Sequence, residues 1–347
     1  MIHTPSDSPF YSKRRISSMT ALSKALNISP IELLNLANRA DHMYRLASTI
    51  TKPDGSTRQT WDAYAPLKKV QRNIRRNILD YVVYPAYLTG SLKGCDFKTN
   101  ATLHTGSTIV INEDITRFFP STSDTIVHNI WQHFFGFDNE VAECLTKLTT
   151  RQGELPQGAI TSSFLANLAF WKDEPALQAS FRARGIIYSR YVDDIAVSSV
   201  NFLDKPAKTN VIASVYGMLS RHGYQPKRAK HEIRTSGQRM EVTKLSVNSK
   251  PGLSSAKQSQ IRSAVHHLEQ AILRGEIIEF DKGPYAQTLG LVHLLARFHP
   301  GKAKKLKQRL LALKSAVRMN LGQRADGLSR WAGSAFGTPS AEALADG

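Results

Sequence analysis

Two adjacent carboxylates, Asp193 and Asp194, interrupt a stretch of β-rich sequence, IIYSRYV before them and IAVSS after them. The spacing predicts a hairpin over 186–199 with the two acids as its turn, where Asp tolerates left-handed backbone. Neighbouring carboxylates repel, and burying them is costly unless a cation is at hand. The natural counterion is Mg²⁺, which prefers carboxylate oxygens together with phosphate and water. A third acid, Asp114, closes another β-rich run, GSTIVINEDI at 106–115. If the two strands are neighbours, the three acids converge. Such a set suits two metal ions about 3.5–4 Å apart, clamping the attacking and leaving oxygens of a phosphoryl transfer.

The elements that must position these acids are partly readable. Residues 1–50 read as helical, with a Ser29-Pro30 start signal and Leu33, Leu34, Leu36 and Ala37 along one side. Residues 51–60 read as a turn between short extended pieces. In 67–79, Leu67, Val70, Ile74 and Ile78 form an apolar helical stripe opposite Lys68, Lys69, Arg72, Arg75 and Arg76. Pro120 and Ser121 are expected to open a helix with Ile126, Val127, Ile130, Trp131 and Phe134 inside and Gly136 as its stop. LPQG at 155–158 reads as a loop, followed by a helix over 159–171. From 255 to 330 the pattern is helical.

The chain has 347 residues and a formal charge of +18, from 46 basic and 28 acidic residues. This balance calls for a polyanionic partner. Basic stripes at 67–79, 227–250 and 302–318 suit a nucleic-acid backbone better than a membrane surface. A hydrophobic content of 41% excludes wholesale disorder. The two cysteines, Cys95 and Cys144, form no CxxC pair, so neither a disulfide scaffold nor a Cys-based zinc site is expected, and a reducing cytoplasm is the default location. No apolar run reaches the ~20 residues of a membrane span, and the first residues lack a signal-peptide core.

YVDD (Tyr191–Asp194) resembles the YxDD signature of reverse transcriptases, and the other blocks of that family follow in order. INEDITRFFPS at 111–121 is similar to the first metal-binding block. LPQGAITSSFLANL at 155–168 is similar to the nucleotide-pocket block, and GYQPKRAK at 223–230 to the later block ending in lysine. EVTKLSVN at 241–248 resembles the block before the thumb. A narrower resemblance is to bacterial retron enzymes. Asn100-Ala101-Thr102-Leu103-His104 is similar to their NAxxH element, and VTKLSVN to their VTGLxVN element. Lys244 stands where that family has Gly, and Val192 where retron enzymes usually carry Ala.

The resemblance implies an α+β right-hand polymerase: an N-terminal helical segment at 1–50, fingers at 51–105, a palm of antiparallel sheet plus helices at 106–250 and a helical thumb at 251–330. The tail at 331–347 is expected to be disordered. It implies two Mg²⁺ ions, with Mn²⁺ as a substitute, on Asp114, Asp193 and Asp194, with the Ile115 carbonyl as a further ligand. Phe119 would be the sugar gate that excludes a ribose 2′-OH. Gln157 and Gly158 would border the incoming dNTP, and Lys230, Arg58 and Lys68 would meet its triphosphate. Asn100, His104, Arg72, Arg75, Arg76, Lys244, Lys304, Lys305 and Lys307 would contact RNA or DNA, although His104 is equally readable as a satisfied structural histidine.

The implied activity is RNA-directed DNA synthesis on a structured noncoding RNA, primed from an RNA 2′-OH to give branched RNA–DNA, with an effector protein and a role in phage defence. Competing readings are another defence-associated or group II intron-like reverse transcriptase and a non-catalytic RNA-binding scaffold on a palm fold. An RNA-dependent RNA polymerase is disfavoured by the bulk of Phe119.

Overall fold

The computed structural model describes residues 7–51, 55–274 and 282–315. The chain divides into two units, Met1–Pro251 and Gly252–Gly347. In the first, β1 (Phe10–Tyr11) precedes α1 (Met19–Leu26) and α2 (Pro30–Arg39). Ser29 and Glu32 close a capping box at the start of α2, satisfying backbone donors that the first turn leaves unpaired. Leu33, Leu36 and Ala37 are buried, whereas Leu34 faces out.

The helical reading of 1–50 fails at both of its described ends, for residues 7–17 carry β1 and no helix. The stretch YRLASTIT forms β2 (Tyr44–Thr51), which pairs antiparallel with β3 (Thr57–Ala63). Its Thr and Ile content suits a pleated ladder, and pairing with β3 overrides the weak helical periodicity. Next comes α3 (Ala65–Asn77), which buries Leu67, Val70 and Ile74 as expected. The strand β4 (Val82–Val83) pairs with β1.

A four-stranded antiparallel sheet carries the acids. It comprises β5 (Ile109–Asp114), β6 (Ile186–Tyr191), β7 (Asp194–Ser199) and β8 (Glu232–Thr235), in the order β6-β7-β5-β8. Against β6 pack α4 (Phe97–Leu103) and α9 (Glu174–Ala183). Other helices of this unit are α5 (Phe118–Ser121), α6 (Asp124–Asn129), α7 (Asn139–Thr149), α8 (Ser162–Asn167) and α10 (Lys205–Arg221). A small hairpin, β9 (Glu241–Val242) and β10 (Leu245–Ser246), completes it.

Two predicted helix boundaries move. Pro120 lies inside the single turn of α5, and Ser123 is the cap that opens the next helix, its Oγ accepting from Ile126 N at 3.3 Å. The regular helix after LPQG covers only α8, and turns continue to residue 173. In the second unit, α11 (Ser255–Leu273), α12 (Gly283–Ala296) and a helix over 300–315 account for the helical pattern. Lys304, Lys305 and Lys307 are exposed on the last of these. The remainder of the expected thumb and the 331–347 tail lie outside the described residues. Among those described, no helix is long and apolar enough to cross a membrane.

Candidate active site

The hairpin register places the turn one residue earlier than the sequence suggests. Tyr191 pairs with Asp194, so the two-residue turn is Val192-Asp193 and Asp194 is the first residue of β7. Val192 takes the left-handed conformation, φ 61°, which is rare for a β-branched residue. Asp194 also sits directly opposite Asp114 across the β5–β7 ladder. The Asp193 carbonyl accepts from Ile115 N at 3.1 Å, fixing the turn to the end of β5. The three predicted acids therefore meet.

Burial and like charge act together on this cluster. Asp114 is nearly buried, and its Oδ1 accepts from Lys230 Nζ at 2.6 Å. Asp194 is open to solvent on one side and crowded by protein on the others. That crowding, with the charges of Asp193 and Asp114, lifts its carboxyl well above the ordinary range. Asp193 is raised by burial and by Asp114, while Lys230 and Arg58 pull it down. Arg58, on β3, thus lies close enough for its charge to reach Asp193. Burial alone would lower Lys230, but its bond to Asp114 and the three acid charges hold it above its ordinary value.

Beside the acids lies a cavity of about 360 Å³ bordered by Asn100, Asp114, Asp194, Lys230, His231 and Lys244. Lys244 and Thr243 form the β9–β10 turn with φ of 65° and 47°, and Thr243 Oγ1 donates to the Phe97 carbonyl at 2.8 Å. The sequence reading missed Glu113, which accepts from Tyr216 Oη at 3.0 Å and pairs with His231 Nδ1 at 2.6 Å. An acid within an apolar strand was the available signal for it.

The loop at 155–158 docks on the β2–β3 hairpin. Trp61 N donates to the Gln157 carbonyl at 2.7 Å. Gly158 has φ 104°, and a Cβ there would stand 2.9 Å from the Trp61 carbonyl. Its lack of a side chain is therefore demanded by the hairpin itself, whatever else Gly158 borders. Lys68 is engaged with Asp62 at 2.6 Å, a partner it shares with Arg45. Arg72, Arg75 and Arg76 are exposed on α3, with Arg75 3.4 Å from Asp80. Phe119 is half-buried, edge-on to Phe118, which continues into Phe170 and Tyr224.

Asn100 and His104, expected as RNA or DNA contacts, are both buried. Asn100 is buried, its Oδ1 accepting from Thr89 Oγ1 at 2.8 Å, and its Nδ2 has no protein partner. His104 is fully buried, with Nδ1 2.7 Å from Ser198 Oγ and Nε2 2.7 Å from Ser189 Oγ. It cross-links β7 and β6 behind the turn. Burial holds its pKa down to about 3, from an ordinary 6.5. The unfolded chain therefore takes up the extra proton below 6.5, and stability is lost as pH falls through that window towards 3. His104→Gln keeps a two-ended polar bridge without a titrating ring. Between about pH 7 and about pH 5 the parent's Tm should fall more steeply than the variant's, and equal slopes would contradict a buried neutral ring.

The sequence is similar to several curated reverse transcriptases. Retron Se72 reverse transcriptase from Salmonella heidelberg is 33% identical over 262 residues, covering 74% of this chain and 69% of that protein. Retron Ec86 reverse transcriptase from Escherichia coli is 30% identical, covering 73% and 78%. Retron Ec48 reverse transcriptase, also from Escherichia coli, is 28% identical, covering 88% and 78%. No family model matches the sequence. Among solved structures, a telomerase from Candida albicans with a fragment of telomeric RNA aligns at TM-score 0.37 and 11% identity over 60% of this chain and 40% of that one, too loosely to define a shared fold. The chain belongs to the retron reverse transcriptases, which are RNA-directed DNA polymerases.

Proposed function

We propose that this enzyme copies part of a structured noncoding RNA into single-stranded DNA, starting from a 2′-OH of that RNA, so that the product is branched RNA–DNA. The observation that carries the chemistry is the facing of Asp114 and Asp194 across adjacent strands, with Asp193 in the adjoining turn. Hard carboxylate oxygens and acids raised by burial and by mutual repulsion fit a divalent cation, although among the described residues no cluster of three or more His, Cys, Asp or Glu is closed into a ready-made shell. Asp114, Asp193 and Asp194, with the Ile115 carbonyl, would hold two Mg²⁺ ions, or Mn²⁺ in their place, which neutralise charge on the reacting oxygens when bound.

The chain's own residues do the rest. Lys230, now on Asp114, would turn to the incoming triphosphate, and Arg58 adds positive charge from the β2–β3 hairpin. Phe119 excludes the ribose 2′-OH, and Gln157 and Gly158 border the base and sugar. In this reading β2, β3 and α3 belong to the fingers, the four-stranded sheet is the palm and the helices after residue 251 form the thumb. Lys304, Lys305 and Lys307 then follow the heteroduplex through its phosphates. The setting is phage defence, in concert with the RNA and an effector protein.

Lys244 offers a test of the nucleic-acid contacts. Its φ of 65° suits Gly, so a lysine there has a conformational cost. Lys244→Gly should raise stability by about 1 kcal/mol. It should also weaken RNA binding and reduce the salt-dependence slope by about one. An unchanged slope would remove Lys244 from the binding surface.

Sequencing the nucleic acid that co-purifies with the enzyme tests the main reading. A short DNA joined through a 2′ branch to RNA is expected. DNA without a branch would favour an intron-like or other defence enzyme, and bound RNA with no DNA would favour a scaffold.

A further inference from the structure

The turn that carries Asp193 is conformationally unfavourable on its own. Val192 is β-branched and left-handed, and a free turn would relax away from φ 61°. Three groups hold it. Arg190 Nη1 donates to the Val192 carbonyl at 3.1 Å, and Nη2 donates to the Asn167 carbonyl at 2.9 Å. Glu174 grips the same guanidinium, with Oε1 2.6 Å from Nε and Oε2 2.8 Å from Nη2. Asn167 Nδ2 then donates at 2.8 Å to the Gly90 carbonyl, and Gly90 packs directly against the Val192 backbone.

Arg190 is 0% exposed and Glu174 1%. A fully buried ion pair is a poor device for stability alone, because desolvation offsets most of the attraction. Its geometry points to another use. The Val192 carbonyl belongs to the same peptide plane as the Asp193 nitrogen, so fixing that oxygen fixes the direction in which Asp193 leaves the turn.

We propose that Arg190, oriented by Glu174, is a positioning residue for DNA synthesis that locks the Val192–Asp193 peptide and thereby aims the Asp193 carboxylate at the reacting centre. This rests on the reading of Asp193 as catalytic. Tyr188 Oη, which donates to Glu174 Oε1 at 2.7 Å, completes the support.

The test uses the full chain with its bound RNA and the double variant Arg190→Met with Glu174→Gln. No orphan charge remains, Gln still accepts from Tyr188, and Met fills the space between the Phe118 and Phe170 rings beside the guanidinium. The expected result is a loss in kcat of about 100-fold, with KM for dNTP and RNA affinity unchanged. Amide exchange at 191–195 in the metal-free protein should rise. Adding Val192→Gly, which accepts a positive φ freely, should restore both readouts, whereas a merely structural pair would not be rescued by a turn glycine.

If the double variant fails to fold, Arg190→Lys serves. One ammonium can keep Glu174 but cannot also span the Asn167 and Val192 carbonyls. The same kcat loss and the same rescue are required there. Parental kcat in either folded variant, or no rescue by Val192→Gly, overturns the proposal. A parent that makes no DNA would instead overturn the reading beneath it.

Discussion

Asp193→Asn combined with Asp194→Asn yields a protein that still holds its RNA and makes no DNA. The substitution preserves shape and removes two negative charges from a site whose acids already repel one another. The metal-free variant should therefore be at least as stable as the parent. Losing the charge that anchors a cation removes several kcal/mol of transition-state stabilisation, so primer extension should fall by about 10³-fold or more. RNA affinity, which comes from the basic surface of a +18 chain, should not change. Extension and filter-binding assays on one preparation separate the two. Extension at the parental rate would show that these acids are not the catalytic ones.

Gly90→Ala is the second large effect. A Cβ at this position would lie 2.4 Å from Val192 N, 2.6 Å from Val192 Cγ2 and 2.9 Å from the Tyr191 carbonyl carbon. Two of those three atoms are backbone, so the turn itself must move. Overpacking of this kind costs about 1–3 kcal/mol of stability. If the turn carries the reacting centre, a displacement approaching 1 Å there costs about 100-fold in rate. Gly237→Ala is the control, because nothing lies within 4 Å of its added Cβ. Parental activity in folded Gly90→Ala would mean that the turn tolerates displacement and that tight positioning is not needed.

The sequence carried the hairpin and the basic helix, because apolar alternation and adjacent carboxylates are local signals. The convergence of the three acids hung instead on two strands being neighbours, which only the family resemblance implied. The sequence reading misplaced the turn by one residue. Asp-Asp looks like the better turn pair; Val192 is met instead by Arg190, two residues before it, and by Gly90, which Asn167 tethers from a distant segment. Arg190 left a trace, a lone cation in an apolar strand, but nothing local names Glu174 as its partner. Asn100 and His104 were read towards RNA from their likeness to the NAxxH element, with a structural role for His104 left equally open. The serines that satisfy His104, Ser189 and Ser198, lie on two strands whose pairing had to be known first. Residues 44–51 became a strand for the same reason, since the hairpin partner decides what periodicity leaves ambiguous.

Electron paramagnetic resonance of Mn²⁺ titrated into the protein asks directly whether the acids of β5 and of the 192–194 segment share a cation. The parent should bind Mn²⁺ with Mg²⁺ as a competitor, and Asp114→Asn and Asp194→Asn should each weaken that binding even though the two residues stand on different strands. Mn²⁺ binding that survives the loss of Asp114, Asp193 and Asp194 together would contradict a common site.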